Sequence, residues 1–198
     1  MLDIWNERYS RDEFVYGREP NQFLKDNAHH IPIKGSVLCI AEGEGRNAVF
    51  LAGLGHEVIA MDMAKSGRDK ALRLAKEQNV SIEYRVGNLN NFDFGTGEWD
   101  AVIAIFAHTP IELRQKIHGS LSTAIKPNGV FIMEVYSPDQ LNYKTGGPKS
   151  LDLLFALEDV KREIEGLEFL HAQQTVRDIT EGSLHTGLGA VTQIVARK

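Results

Sequence analysis

Three observations predict an α/β fold, doubly wound around a mostly parallel seven-stranded sheet and closed by an antiparallel C-terminal hairpin. Short apolar runs alternate with amphipathic stretches along most of the 198 residues. The central runs, Val37 to Ala41 and Ala101 to Phe106, are apolar throughout, as strands covered by helices on both faces must be. The last two runs are joined by a short connection, whereas a parallel crossover needs about a dozen residues or more.

The elements follow in order. Val37 to Ala41 is the first strand. Asn47 to Leu54 then has helical spacing, with Gly55 as its stop. Glu57 to Met61 is the second strand, and Lys65 to Gln78 a helix with Ala71, Leu72 and Ala75 on one face. Ile82 to Val86 and Ala101 to Phe106 are the third and fourth strands. Pro110 begins a helix that runs to Ile125, since proline suits a first helical turn. Pro127-Asn128-Gly129 turns the chain into a fifth strand, Val130 to Val135. Leu151 to Glu165 reads as one helix ended by Gly166. Leu167 to Ile179 and Leu188 to Ala196 form the hairpin around Glu181-Gly182-Ser183. The first 30 residues stand outside the alternation and carry Trp5, Tyr9, Phe14 and Tyr16. They are expected to form a helical, aromatic segment covering a mouth or edge of the sheet, with residues 31–198 as the main domain.

Composition narrows the function. At 42% hydrophobic and 25% charged the chain is of ordinary globular make-up, which excludes disordered and repetitive classes. A net charge of −5 argues against a broad nucleic-acid surface. The apolar runs fall far short of the roughly 20 residues of a membrane span, and charges from residue 3 argue against a secretory signal. The single cysteine, Cys39, can form no internal disulfide, and the seven histidines show no metal-ligand spacing. The expectation is a cytoplasmic protein acting on a small molecule, with no metal, nucleic-acid or membrane partner and an oligomeric state left open.

The first strand runs into Ala41-Glu42-Gly43-Glu44-Gly45-Arg46-Asn47-Ala48. Gly43 and Gly45 sit at the strand-to-helix turn, where glycine lets a backbone approach a ligand closely. The spacing also fits a dinucleotide loop, but a pyrophosphate there would meet two carboxylates, Glu42 and Glu44. A ligand with an ammonium and a sulfonium would be attracted instead, and S-adenosylmethionine carries both. The alternative roles are a helix cap for Glu42 and a solvent-facing position for Glu44. Asp62 follows the second strand, 17 residues after Gly45, where an acidic residue accepts from a ribose or caps a helix. Asn88, after the third strand, suits an adenine edge or a plain turn.

This order of strands and motifs, with Trp99-Asp100 before the fourth strand and Pro127-Asn128-Gly129 before the fifth, resembles the class I S-adenosylmethionine-dependent methyltransferases over about residues 36 to 198. The wording of the glycine loop is similar to the tellurite-resistance (TehB-type) and thiopurine methyltransferase branch. So are Trp5, Arg8-Tyr9 and Tyr16-Gly17-Arg18-Glu19-Pro20-Asn21. The resemblance implies a Rossmann-like methyltransferase fold. It implies that Glu42, Gly43 and Gly45 hold the methionine part of the cofactor and Asp62 the ribose, with Met63 a further candidate cofactor-binding residue. It places Asn88 and Leu89 at the adenine, and Phe106 and Tyr16 are further candidate cofactor-binding residues. The branch often has Asp where this chain has Asn88.

The acceptor side gives fewer signals. Phe106-Ala107-His108-Thr109-Pro110 follows the fourth strand, and no Asn/Asp-Pro-Pro-aromatic motif of amino-group methylation is present. His108 is the candidate general base, or else a structurally bonded histidine. A soft nucleophile, such as a thiolate or a reduced chalcogen, would need no base; a thiol or a chalcogen oxyanion is the expected acceptor class. Tyr136 to Ser150 is a candidate substrate cover, with Lys144 and Lys149 for an anion or simply facing solvent. Arg46 is expected to bond the N-terminal segment or to make a surface ion pair. Two other functions stay open: a non-catalytic cofactor-binding module and a nicotinamide-dependent reductase, which the loop carboxylates disfavour.

Overall fold

Five apolar runs become parallel strands: β1 (Ser36–Ile40), β2 (Glu57–Asp62), β3 (Glu83–Val86), β4 (Trp99–Ile105) and β5 (Ile125–Tyr136). The hairpin strands β6 (Glu168–Thr180) and β7 (Thr186–Arg197) join antiparallel, giving the order β3-β2-β1-β4-β5-β7-β6. This computed structural model describes residues 2–198, with side chains from residue 4 onward. Six helices accompany the sheet among those residues: α1 (Leu2–Tyr9), α2 (Gln22–Asn27), α3 (Arg46–Gly53), α4 (Lys65–Glu77), α5 (Ile111–Ala124) and α6 (Leu157–Glu163).

Alternation along the strands divides the core in two. Val37, Cys39, Ala101, Ile103, Val130 and Ile132 pack on one face against Leu24 of α2, Leu51 of α3 and Leu74 of α4. Leu38, Ile40, Val102, Ala104, Phe131 and Met133 pack on the other against Leu121 of α5 and Val160 of α6. Period-2 strands buried on both sides therefore account for the unbroken apolar runs. Among the described residues no helix is long and apolar enough to cross a membrane.

Two readings of local structure need correction. The single helix over Leu151 to Glu165 is broken into a 3-10 turn (Leu151–Leu153) and α6, with Leu154 and Ala156 extended. The core side of the sheet takes hold of the chain between them. Phe155 donates its N–H to the Tyr136 carbonyl at 3.0 Å, and its own carbonyl accepts the Thr192 hydroxyl at 2.6 Å. These bonds satisfy a buried backbone that a continuous helix would have satisfied internally. The Pro127–Gly129 turn is likewise absorbed into β5 as a bulge, where the β4 pairing jumps from Trp99–Ile125 to Ala101–Val130.

Candidate active site at the sheet switch point

The strand order reverses between β1 and β4, and in such sheets the crevice at the carboxyl ends of those strands receives ligands. Both strands end there in left-handed backbone without glycine: Ala41 has φ 50° and Phe106 φ 51°. Each conformation costs about 1–2 kcal/mol for an L-residue, so the fold holds strain at its open mouth.

After Ala41 the chain builds a glycine loop whose carboxylates do different jobs. Glu42 Oε1 accepts the N–H groups of Asn47 and Ala48 at 2.9 and 2.8 Å, so it caps the first turn of α3. Burial pushes its carboxyl up to about 7, against the pull of those N–H groups and of the Arg46 charge. Glu44 is only 3% exposed, so it does not face solvent. It accepts the N–H groups of Val15 and Tyr16 at 3.3 and 3.2 Å and pairs with Lys70 at 2.6 Å. Its charge ties the N-terminal segment to α4 and is spent there, which corrects the picture of two carboxylates both acting on a ligand.

Asp62 closes the loop from β2. Its Oδ2 accepts the Gly43 N–H at 3.1 Å and its Oδ1 the Ala64 N–H at 2.8 Å, while burial raises its carboxyl above the usual range. Tyr84, a residue the sequence reading missed, donates to the Gly43 carbonyl at 2.7 Å. Gly43 has φ 62°, and a β-carbon there would lie 2.7 Å from the Tyr9 hydroxyl. Gly45 has φ 90°, and a β-carbon there would lie 2.4 Å from the Ala71 methyl. Gly45 is thus required by the packing of α3 on α4. Met63, beside Asp62, is partly exposed. Asn88 is exposed and caps a 3-10 turn through the Asn90 N–H at 2.9 Å, while Leu89 is buried in the second core.

Over this loop lies the N-terminal segment. Trp5, Tyr9 and Tyr16 pack with centroids 5.6 to 6.4 Å apart, and the Arg8 guanidinium donates to the Tyr16 hydroxyl at 3.1 Å. Arg11 and Arg18 pair with Glu13 and Glu77 instead of the loop carboxylates.

On the β4–β5 side of the mouth, Phe106, His108, Tyr136 and Tyr16 meet a residue that no sequence signal marked. His185, at the tip of the β6–β7 hairpin, lies 4.6 Å from the rings of both Phe106 and Tyr16 and 5.5 Å from Tyr136. His108 stacks on Tyr136 at 5.5 Å, and its Nδ1 bonds the Leu153 carbonyl at 2.8 Å. That bond assigns the proton to Nδ1, and burial lowers its pKa to about 4, so the imidazole is neutral at pH 7. The hairpin tip is held by a buried cluster. Arg46 is not on the surface: it is 6% exposed, and its Nη2 pairs with Glu181 at 2.5 Å. Arg177 joins Glu181 to Glu134, Asn21 Nδ2 donates to Glu134 and Glu181 at 2.7 and 3.0 Å, and Gln193 donates to Glu134 at 2.6 Å. The candidate cover behaves differently. Lys144 and Lys149 are exposed, and Gln140 pins the segment through Thr145 at 2.8 Å.

Chemically, the mouth offers an acidic, nearly dry loop, an aromatic roof and a neutral imidazole. The free oxygen of Glu42 and the faces of Trp5, Tyr9 and Tyr16 suit a cation. These residues fit S-adenosylmethionine better than a dinucleotide phosphate.

Comparison with known proteins agrees on the fold. A methyltransferase-domain family profile matches residues 37–129. A 2-heptyl-1-hydroxyquinolin-4(1H)-one methyltransferase of Mycobacteroides abscessus is 26% identical over 156 residues, covering 77% of this chain and 64% of that protein. The chain thus spans less than two thirds of that relative. The solved structure of TehB from Haemophilus influenzae superposes with a TM-score of 0.72 at 18% identity, over 100% of this chain and 66% of that one. A structure from work on the conversion of a disulfide bond into a thioacetal group during echinomycin biosynthesis gives 0.77 at 16% identity, over 100% and 92%. The fold is that of the class I S-adenosylmethionine-dependent methyltransferases.

Proposed function

We propose that this chain transfers a methyl group from S-adenosylmethionine to a small-molecule acceptor, and that the acceptor is a soft nucleophile such as a thiol or a chalcogen oxyanion. The observation that carries the cofactor is the loop from Glu42 to Gly45, locked by Asp62 at the switch point and roofed by Tyr9. Glu42 offers a carboxylate to the ammonium of the methionine part. Asp62 accepts from the ribose, beside Met63, and Asn88 with Leu89 borders the adenine. Residues 1–30 act as the lid, with Tyr16 and Phe106 on either side of the acceptor mouth.

The cofactor supplies an electrophilic methyl on a sulfonium that departs as a neutral thioether. The protein's part is alignment and exclusion of water. His108 bears on the choice of acceptor. With a pKa of about 4 it is a poor base for an alcohol. A nucleophile that is already an anion needs none.

Calorimetric titration tests this reading with S-adenosylhomocysteine, S-adenosylmethionine and NADPH. S-adenosylhomocysteine should bind, and at 100 times its Kd should stabilise the fold by about 2.7 kcal/mol. Amides of residues 5–18 should exchange more slowly in that complex. Binding of NADPH with no response to S-adenosylhomocysteine would overturn the proposal.

A further inference from the structure

Two buried polar atoms at the acceptor mouth have no partner. Arg46 spends Nη2 on Glu181, but its Nη1 is buried and unbonded. His185 is 7% exposed, and its Nδ1 is also buried and unbonded. A buried guanidinium nitrogen without an acceptor is costly, so natural folds rarely keep one unused.

The two residues belong to one place. Glu181, which holds Arg46, and His185 close the hairpin tip together, with the Glu181 N–H donating to the His185 carbonyl at 2.7 Å. Leu184, between them in sequence, donates its N–H to Val15 of the lid at 3.2 Å. The Arg46 charge also opposes protonation of His185 and favours ionisation of Tyr16, whose ring is 4.6 Å from His185. Arg46 therefore sits within electrostatic reach of both rings.

The charges of the supporting cluster are already balanced, Glu134 and Glu181 against Arg46 and Arg177. What remains is directional: one N–H pair of a guanidinium already fixed by Glu181, and one imidazole nitrogen. A fixed guanidinium edge beside a neutral imidazole suits a compact anion, which the second arm of Arg46 can meet without any rearrangement of the first. The aromatic walls of Phe106, Tyr16 and Tyr136 exclude water from it.

We propose that Arg46 Nη1 and His185 Nδ1 form an anion-receiving site under the hairpin tip, which takes a carboxylate, thiolate or oxyanion during the reaction. The inference deepens the methyl-transfer reading and rests on it for the identity of the reaction. The anion could belong to the acceptor or to the carboxylate of the cofactor's methionine part, and the experiment separates the two.

The test uses the full chain, with Arg46→Lys and His185→Phe. Lysine keeps a charge for Glu181 but lacks a second arm. Phenylalanine keeps the ring contacts and removes the nitrogen. Circular dichroism and melting establish that each variant is folded. Sodium selenite is titrated into the free protein and into its complex with S-adenosylhomocysteine. Arsenous acid, pyramidal like selenite and uncharged at neutral pH, is the control.

Selenite should bind the wild type and lose tenfold or more in affinity in both variants, and arsenous acid should not compete. That result places the acceptor's anion in the site. If selenite is indifferent but both variants lose tenfold for S-adenosylhomocysteine and nothing for 5′-methylthioadenosine, which lacks the amino acid, the site receives the cofactor carboxylate. Folded variants with wild-type affinity for both selenite and S-adenosylhomocysteine, or arsenous acid binding as well as selenite, overturn the proposal. Failure of the wild type to bind S-adenosylhomocysteine sinks the methyl-transfer reading alone, because selenite binding to the free protein still reports on Arg46 and His185.

Discussion

The mouth of the sheet has two halves built in opposite ways. Around β1 and β2, Glu42, Gly43 and Asp62 are organised by bonds to backbone groups between 2 and 19 residues away. Around β5 and the hairpin, Arg46, Glu134, Arg177 and Glu181 are organised by side chains up to 135 residues apart, with Asn21 reaching Glu181 across 160. The first half is a local motif that any correctly twisted β–loop–α unit would reproduce. The second exists only when the whole domain is assembled. The first half therefore depends on one short stretch of chain, while the second depends on every element that contributes a member.

Removing a member of the assembled half should have the largest effect. Glu181→Ala leaves the Arg46 and Arg177 guanidiniums short of a buried partner, and breaking such a pair costs about 3–5 kcal/mol. Urea denaturation should show that loss. A change within 0.5 kcal/mol would mean that the cluster is not a cooperative unit.

The local half should respond to pH instead. Folding raises the Glu42 carboxyl from its ordinary value to about 7, so the folded state keeps a proton that the unfolded chain releases. The stability from this group is complete below about pH 4.5, declines as pH rises to 7 and is gone above it, a span of at most about 3 kcal/mol. His108 and His185, held neutral by burial with pKa values of about 4 and 3, act in the opposite sense. Their contribution is complete above about pH 6.5 and is lost as pH falls through those values. The difference between wild type and Glu42→Gln isolates the first effect, since Gln still caps α3 through its carbonyl oxygen. Its stability advantage should grow from pH 5 to pH 8. A flat difference over that range would place the Glu42 carboxyl at an ordinary pKa.

The smallest effect concerns binding. Asp62→Ala should weaken S-adenosylhomocysteine by about tenfold or more, through the lost ribose acceptor and the unlocked Gly43 N–H, with each charge-assisted bond worth about 1.5–3 kcal/mol. Wild-type affinity in a folded Asp62→Ala protein would leave Asp62 as a support for the loop only.

The same contrast explains what could be read from the residues alone. The strands and the antiparallel hairpin were legible because apolar period and connection length act locally. The glycine loop was legible because its residues are contiguous. Arg46 was misjudged because its partner lies on the last hairpin, and Glu44 because Lys70 reaches it from a different helix. His185 carried no local pattern at all. Its only sequence signal is a histidine in the tip of a hairpin that returns to the switch point, and that becomes visible only once strand order is known. The break in the helix after Leu153 was hidden for a related reason, since the Tyr136 carbonyl and Thr192 hydroxyl that capture Phe155 lie far along the chain.

The position of Asn21 also sets a timetable. It is made early, yet its two side-chain acceptors emerge 113 and 160 residues later. At about 5–20 residues per second on a ribosome, the opening segment waits roughly 10–30 s for its last anchor. For the first part of that interval, until β5 is made, Phe23 and Leu24 lack the surface that will bury them. A nascent chain halted before Glu181 carries the glycine loop and the Glu44 tie to Val15, Tyr16 and Lys70, but not the second acceptor of Asn21. Synthesis of the final hairpin is therefore the event that completes the anchoring of the opening segment.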